Sequence, residues 1–150
     1  APSPAQPSKW TIRVFKGNSK LKRMPDLKVM RLIGSATPAA IDIHNYRELD
    51  RLVPDVRSNR NYLAMEMFGK FKLEQEGTYT FCLKSRDGSH LWIDGKQVVD
   101  NGGEHHIAEK CGMQDMKKGT HKVKAHYFLD RGHPYISIKY SGPQTGGEKQ

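Results

Sequence analysis

No stretch of the 150-residue chain approaches the ~20 consecutive apolar residues that a bilayer-crossing helix needs. Sustained 3.6-residue spacing of apolar side chains is also missing, and collagen, coiled-coil and low-complexity patterns drop out with it. Cysteine is scarce. Cys82 and Cys111 are the only two, with no CxxC and no four-ligand zinc pattern. In an oxidising compartment this pair bridges; in a reducing one it remains two small thiols. Ala1 to Ser8 has neither a basic nor an apolar leader region, so the expectation is a soluble chain from which any signal peptide has been removed. Catalytic signatures are lacking too: there is no nucleophile elbow, no phosphate-cradling GxxxxGKS loop and no HExxH. None of the 16 acids is marked as half of a carboxylate pair facing across a cleft, so no enzyme is expected. Asn-x-Ser/Thr acceptors are absent as well.

What is present is enough for one folded domain. Hydrophobic residues make up 36% of the chain, too many for disorder throughout, and the length supports a single core. Period-2 alternation recurs at Trp10, Ile12 and Val14, at Leu63 to Leu73, at Tyr79, Phe81 and Leu83, and at Leu91 and Ile93. It returns at His121 to Leu129 and at Ile136, Ile138 and Tyr140. Asp94-Gly95 between two such runs predicts a tight hairpin, because both positions tolerate positive φ. Only Tyr46 to Leu52, closed by Pro54, reads as a short helix. Short strands at spacings near ten residues predict an all-β antiparallel sandwich over residues 9–140. Residues 34–56 fit this rhythm poorly and read as a long, partly ordered connection. A Pro-rich arm, 1–8, and a Gly/Pro-rich tail, 141–150, are expected to be flexible.

Charge is unevenly placed. Between Lys9 and Arg31 lie eight basic residues and one acid, Asp26, which accounts for most of the formal +9. Lys16, Lys20, Lys22, Arg23, Lys28 and Arg31 form a candidate patch for an anionic partner. The same excess would also serve a solvated edge and loop kept from aggregating by lysine. No recognition-helix pattern or RNA-binding sheet signature accompanies it, so specific nucleic-acid binding is not expected.

Gly77-Thr78-Tyr79-Thr80-Phe81, Ser85-Arg86-Asp87-Gly88-Ser89-His90-Leu91-Trp92-Ile93-Asp94-Gly95, Val98-Val99-Asp100-Asn101 and the His121 to Pro143 region occur as an ordered set. Together they resemble the protective-antigen (PA-fourteen) domain family, a β-sandwich found in toxins, flocculins, adhesins and some glycoside hydrolases. The likeness is close over residues 62–143 and loose before them. Lectin-like members hold calcium through two adjacent aspartates joined by a cis peptide, and a sugar diol completes the shell. The resemblance therefore assigns a ligand-binding apex to Arg86, Asp87, Gly88, Asn101, His105 and Asp130, with Asp87 and Asp130 as the metal ligands. Here the matching pair is Arg86-Asp87, so a guanidinium stands where an anionic ligand belongs. Calcium binding is expected to be impaired, no other cofactor is implied, and the cis bond loses its evident support. Arg86 could instead occupy the cation's place, pairing with Asp87, Asp130 or Asn101.

The remaining candidates are weighed on local geometry. His105 and His106 point opposite ways on an extended segment, so a shared metal is not expected, and Asp100, Asn101 and His105 read as loop-shaping residues. Trp92 lies on the face opposite Leu91 and Ile93 and is expected to pack under residues 34–56. Two functions remain. One is a structural or docking subunit acting through protein contacts and the basic stretch; the other is a calcium-assisted module recognising glycans or glycoproteins at the apex. A secreted or cell-surface setting suits both, with processing into an organelle or an intracellular assembly as the alternative.

Overall fold

Nearly every alternating stretch becomes a strand in the computed structural model, which describes residues 10–145. The six-stranded sheet contains β1 (Thr11–Lys16), β2 (Arg31–Ala36), β4 (Leu63–Leu73), β6 (Ser89–Ile93), β7 (Lys96–Asn101) and β9 (Gly119–Leu129). Its order is β2-β1-β4-β9-β6-β7. The four-stranded sheet contains β3 (Asp42–Ile43), β5 (Gly77–Arg86), β8 (Ala108–Met116) and β10 (Tyr135–Ser141), in the order β3-β10-β5-β8. All pairings are antiparallel, and the two sheets form a sandwich. Ile12, Val14, Met65, Met67, Leu91, Ile93 and Tyr127 from one sheet meet Tyr79, Phe81, Leu83 and Ile136 from the other in one buried cluster. Each such aliphatic or aromatic side chain contributes about 1.5–3 kcal/mol by leaving water, and this sum holds the layers together.

Residues 34–56 are more ordered than the sequence implies. β2 and β3 come from this region or its border, and Ile41, Ile43, Leu49, Val53 and Val56 all enter the core. The predicted helix forms as α1 (Tyr46–Leu52), with the Asn45 carboxamide oxygen accepting the Glu48 N–H at 2.9 Å. Asp94 and Gly95 adopt φ of 50° and 84°, as a tight hairpin turn requires.

The start of the predicted tail is packed. Ser141 pairs with Thr80, Gln144 is buried, and its N–H donates to the Tyr79 hydroxyl at 3.2 Å. The folded body therefore extends to residue 145, because Gln144 also receives the Glu74 N–H and closes the sheet end. Lys9, the 1–8 arm and residues 146–150 lie outside the described residues.

Beyond the main core, the outer face of the six-stranded sheet carries a smaller apolar cluster. Phe15, Ala64 and Phe128 point outward there, and Leu21, Met24, Leu27 and Met30 cover them. The basic segment 17–30 is thus strapped onto the sheet by its own apolar residues.

Candidate functional site

The apex is built where β5, β7 and β9 end. Arg86 and Asp87 are joined by a cis peptide, as in the calcium-binding pattern despite the Arg. Around this turn the hydrogen bonds are dense. Asp87 Oδ1 accepts the His105 N–H at 3.1 Å and Oδ2 accepts the Asp130 N–H at 2.8 Å. The Asp87 carbonyl accepts the Ser85 hydroxyl at 2.7 Å, while its N–H donates to the Phe128 carbonyl at 3.2 Å. Tyr127 donates its hydroxyl to the Arg86 carbonyl and accepts the Tyr135 N–H at 3.1 Å. Burial raises the Tyr127 phenol well above its ordinary value, so it is a permanent donor here.

Asp130 plays the matching part in the next loop. Its Oδ1 accepts the Leu21 N–H at 2.7 Å, tying the basic segment to the apex. Asp87 and Asp130 are each only 5% exposed, so their carboxylates act chiefly as clasps between loops distant in sequence. Arg86 does not pair as proposed from sequence. Among the described residues it makes no ion pair, and its guanidinium lies over Gly132, where a Cβ would come within 2.9 Å of a terminal nitrogen. The φ of 95° at Gly132 favours glycine there, and the Arg86 guanidinium lines the cleft.

The cleft has a volume of about 350 Å³ and brings together Arg86, Asp87, His105 and Asp130, joined by Glu104, His106 and Arg131. Gly88 and Asn101 are not among its walls. A Cβ at Gly88 would strike Phe128 at 2.6 Å and the Gly103 backbone at 2.9 Å, so the residue serves close loop packing. Asn101 is 1% exposed, and its amide donates to Ala108 O at 3.0 Å and to Leu83 O and Ser85 Oγ at 3.3 Å. The His105 ring meets the backbone carbonyls of His106 and Asn101 at 2.6 and 2.9 Å. The hydroxyl contacts of Ser85 and Tyr127 at the apex were not expected from sequence, since each sits on an ordinary inward strand position and nothing local marks its hydroxyl.

The basic patch divides. Lys20, Lys22, Arg23, Lys28 and Arg31 are exposed, whereas Lys16 turns back to donate to Arg60 O at 2.5 Å and Asn61 O at 2.7 Å. Burial, followed by the nearby Arg31 charge, lowers the Lys16 ammonium from its usual value. Lys16 is therefore a structural donor that closes the chain at 60–61. A second cleft, of about 630 Å³, runs along residues 20–26.

Cys82 and Cys111 face each other across β5 and β8 and are bonded, with an S–S distance of 2.01 Å. The disulfide pins edge strand β8, which follows the loop carrying His105. Trp92 does not pack under residues 34–56. Its ring neighbours are His126 at 5.0 Å and His90 at 5.8 Å, with the Lys124 ammonium 4.8 Å above it, all on the outer sheet face. No helix among the described residues is long and apolar enough to cross a membrane.

A family model described as the PA14 domain matches residues 12–150. No curated protein matches the chain. Among solved structures, a PA14 sugar-binding domain from an RTX adhesin is similar at 16% identity and TM-score 0.74, covering 98% of this chain and 94% of that one. The PA14 domain of MpAFP antifreeze protein is similar at 15% identity and TM-score 0.71, covering 94% and 85%. A subtype-switched epithelial adhesin A domain from Candida glabrata, in complex with beta-lactose, is similar at 10% identity and TM-score 0.65, covering 99% and 90%. Identities this low establish shared fold.

Proposed function

The chain belongs to the PA14 domain family, and from that premise we propose that it is a calcium-independent docking module taking an acidic protein partner on its basic 17–31 loop. One observation carries the reading: the loop is fixed while its charges stay free. Leu21, Met24, Leu27 and Met30 anchor it on Phe15, Ala64 and Phe128, and Leu21 N–H ties it to Asp130. Lys20, Lys22 and Arg23 remain exposed around the 630 Å³ cleft, and among the described residues no carboxylate forms an ion pair with them. A preordered cationic surface loses little entropy on binding and steers acidic partners toward it.

Calcium is left out of this reading on the chemistry of the donor set. Calcium wants six to eight oxygen ligands. Both Asp87 oxygens and one Asp130 oxygen already accept amide N–H groups, and the Arg86 guanidinium lines the same cleft. A guanidinium in the cleft with Asp87 and Asp130 opposes a second cation there. No catalytic step is assigned to the domain. A secreted or cell-surface setting, within a larger assembly, goes with the disulfide.

A second reading, glycan recognition, is favoured by the 350 Å³ apical cleft and by the sugar-binding adhesin domains that share the fold. Binding of a fluorescent poly-glutamate peptide separates the two. Docking predicts saturable, salt-sensitive binding that is lost on reversing Lys20, Lys22 and Arg23 to Glu, with no thermal shift from millimolar calcium or chelator. A blank peptide titration beside a positive neutral-glycan array would favour the second reading.

A further inference from the structure

The outer face of the six-stranded sheet falls into three zones below the basic loop. Nearest the apex, Phe15, Ala64 and Phe128 are covered. The next row runs across five strands as Arg13, Glu66, His126, His90 and Asp100. Its signs complement one another, with Arg13 to Glu66 at 4.0 Å, His126 to Glu66 at 3.5 Å and His90 to Asp100 at 3.3 Å. The rows beyond follow a different rule. Thr11, Phe68, Lys124 and Trp92 face outward in register, and then Lys70 stands directly opposite Lys122. Like charges placed directly opposite across a strand pair are destabilising. Neither lysine forms an ion pair among the described residues; the Asp94 carboxylate, bonded to His121 and the Lys122 backbone N–H, offsets part of the Lys122 charge without contacting its ammonium. These residues line a cleft of about 660 Å³, within the roughly 300–1,000 Å³ range of small-molecule sites.

We infer that this face is a second binding site, separate from the apex and the basic loop, for an anionic oligosaccharide. Phe68 and Trp92 stand two strand spacings apart, about 10 Å, the length of a disaccharide unit, with the Lys124 backbone between them. A pyranose C–H face can lie on Phe68, and on Trp92 once the Lys124 ammonium, 4.8 Å above that ring, swings off it to join Lys70 and Lys122 on a ligand carboxylate or sulfate. The ligand charge then relieves the Lys70–Lys122 opposition, and Thr11 supplies a hydroxyl at the rim. An acidic peptide would satisfy the lysines but has no repeating ring face for the two aromatics. A nucleic acid strand is the remaining anionic class.

The test is calorimetric titration of the whole chain with a galacturonate hexamer, its methyl ester and a heparin-derived hexamer, beside a poly-glutamate peptide and single-stranded DNA. Saturable binding of either acidic hexamer is expected, weakened about tenfold or more by methyl esterification or by raising the salt. Lys70→Gln with Lys122→Gln should cause a similar loss while melting no lower than the parent, since it removes a repulsion. Trp92→Ala should abolish binding at this face, read in a chain already carrying the Lys20, Lys22 and Arg23 reversals so that the basic loop takes up no anion. No heat with either acidic hexamer overturns the inference, as does binding unaffected by the double lysine variant. Equal or tighter binding of the peptide or DNA through the same lysines overturns the saccharide assignment.

Discussion

The apex and the basic loop both consist of charged residues held at one end of the sandwich, yet they use charge in opposite ways. Asp87 and Asp130 are turned inward, where the amide N–H groups of His105, Asp130 and Leu21 satisfy both Asp87 oxygens and one of Asp130. Lys20, Lys22 and Arg23 are turned outward because the apolar residues interleaved with them take the inward positions on Phe15, Ala64 and Phe128. A buried carboxylate becomes part of the scaffold; a solvated ammonium stays available. The Leu21–Asp130 hydrogen bond joins the two regions, so the scaffold of one helps order the other.

Removing the inward charge should do the greatest harm. Asp87→Ala strips the acceptor from two amide groups, and at about 1–3 kcal/mol for each orphaned donor the unfolding free energy should fall by about 2–6 kcal/mol. Chemical denaturation measures this, and a loss below about 0.5 kcal/mol would end the description of Asp87 as a clasp. Replacing Cys82 and Cys111 by Ala releases β8 and should cost about 3 kcal/mol by the chain-entropy account. Amide exchange should then rise first in β8 and the 102–107 loop; uniform exchange across both sheets would contradict this.

A smaller effect comes from the partly exposed His121–Asp94 pair at the opposite end of β9. Burial opposes the charged imidazole, but hydrogen bonds to Asp94 and the Lys117 carbonyl outweigh it and raise the His121 value. The contribution is therefore full below about pH 6.5 and disappears as pH rises through the raised folded value. Because Asp94 is well exposed, it should be under about 1 kcal/mol, and His121→Gln should flatten that part of the pH–stability curve. Smallest for stability is reversal of Lys20, Lys22 and Arg23, within about 0.5 kcal/mol. The same variant should lose poly-glutamate binding, so unfolding of the triple variant would show that the loop charges are structural after all.

The strands that sequence reading found and those it missed differ in position. β1, β4, β5, β6, β9 and β10 alternate clearly because each buries one face against the opposite sheet. β2, β3 and β8 escaped notice, and all three are edge strands; the fourth edge strand, β7, was found through its Asp94-Gly95 turn. β8 buries only Met116 fully, so its sequence carries almost no apolar rhythm. At the apex, Arg86, Asp87, His105 and Asp130 line one cleft, while Gly88 and Asn101 lie in the packing beneath it. The apex contacts of the Ser85 and Tyr127 hydroxyls were invisible because a hydroxyl on an inward strand position has no local signature.

Alternating apolar residues and turn glycines were enough to determine the layered sheets, the short helix and the hairpin at Asp94-Gly95, since those depend on neighbours a few positions away. Which charges would be consumed and which left in water was decided only by the tertiary structure. Leu21 and Asp130 are 109 residues apart in the chain and Asp87 and Asp130 are 43 apart, so the partners that bury a carboxylate arrive only when the loops meet.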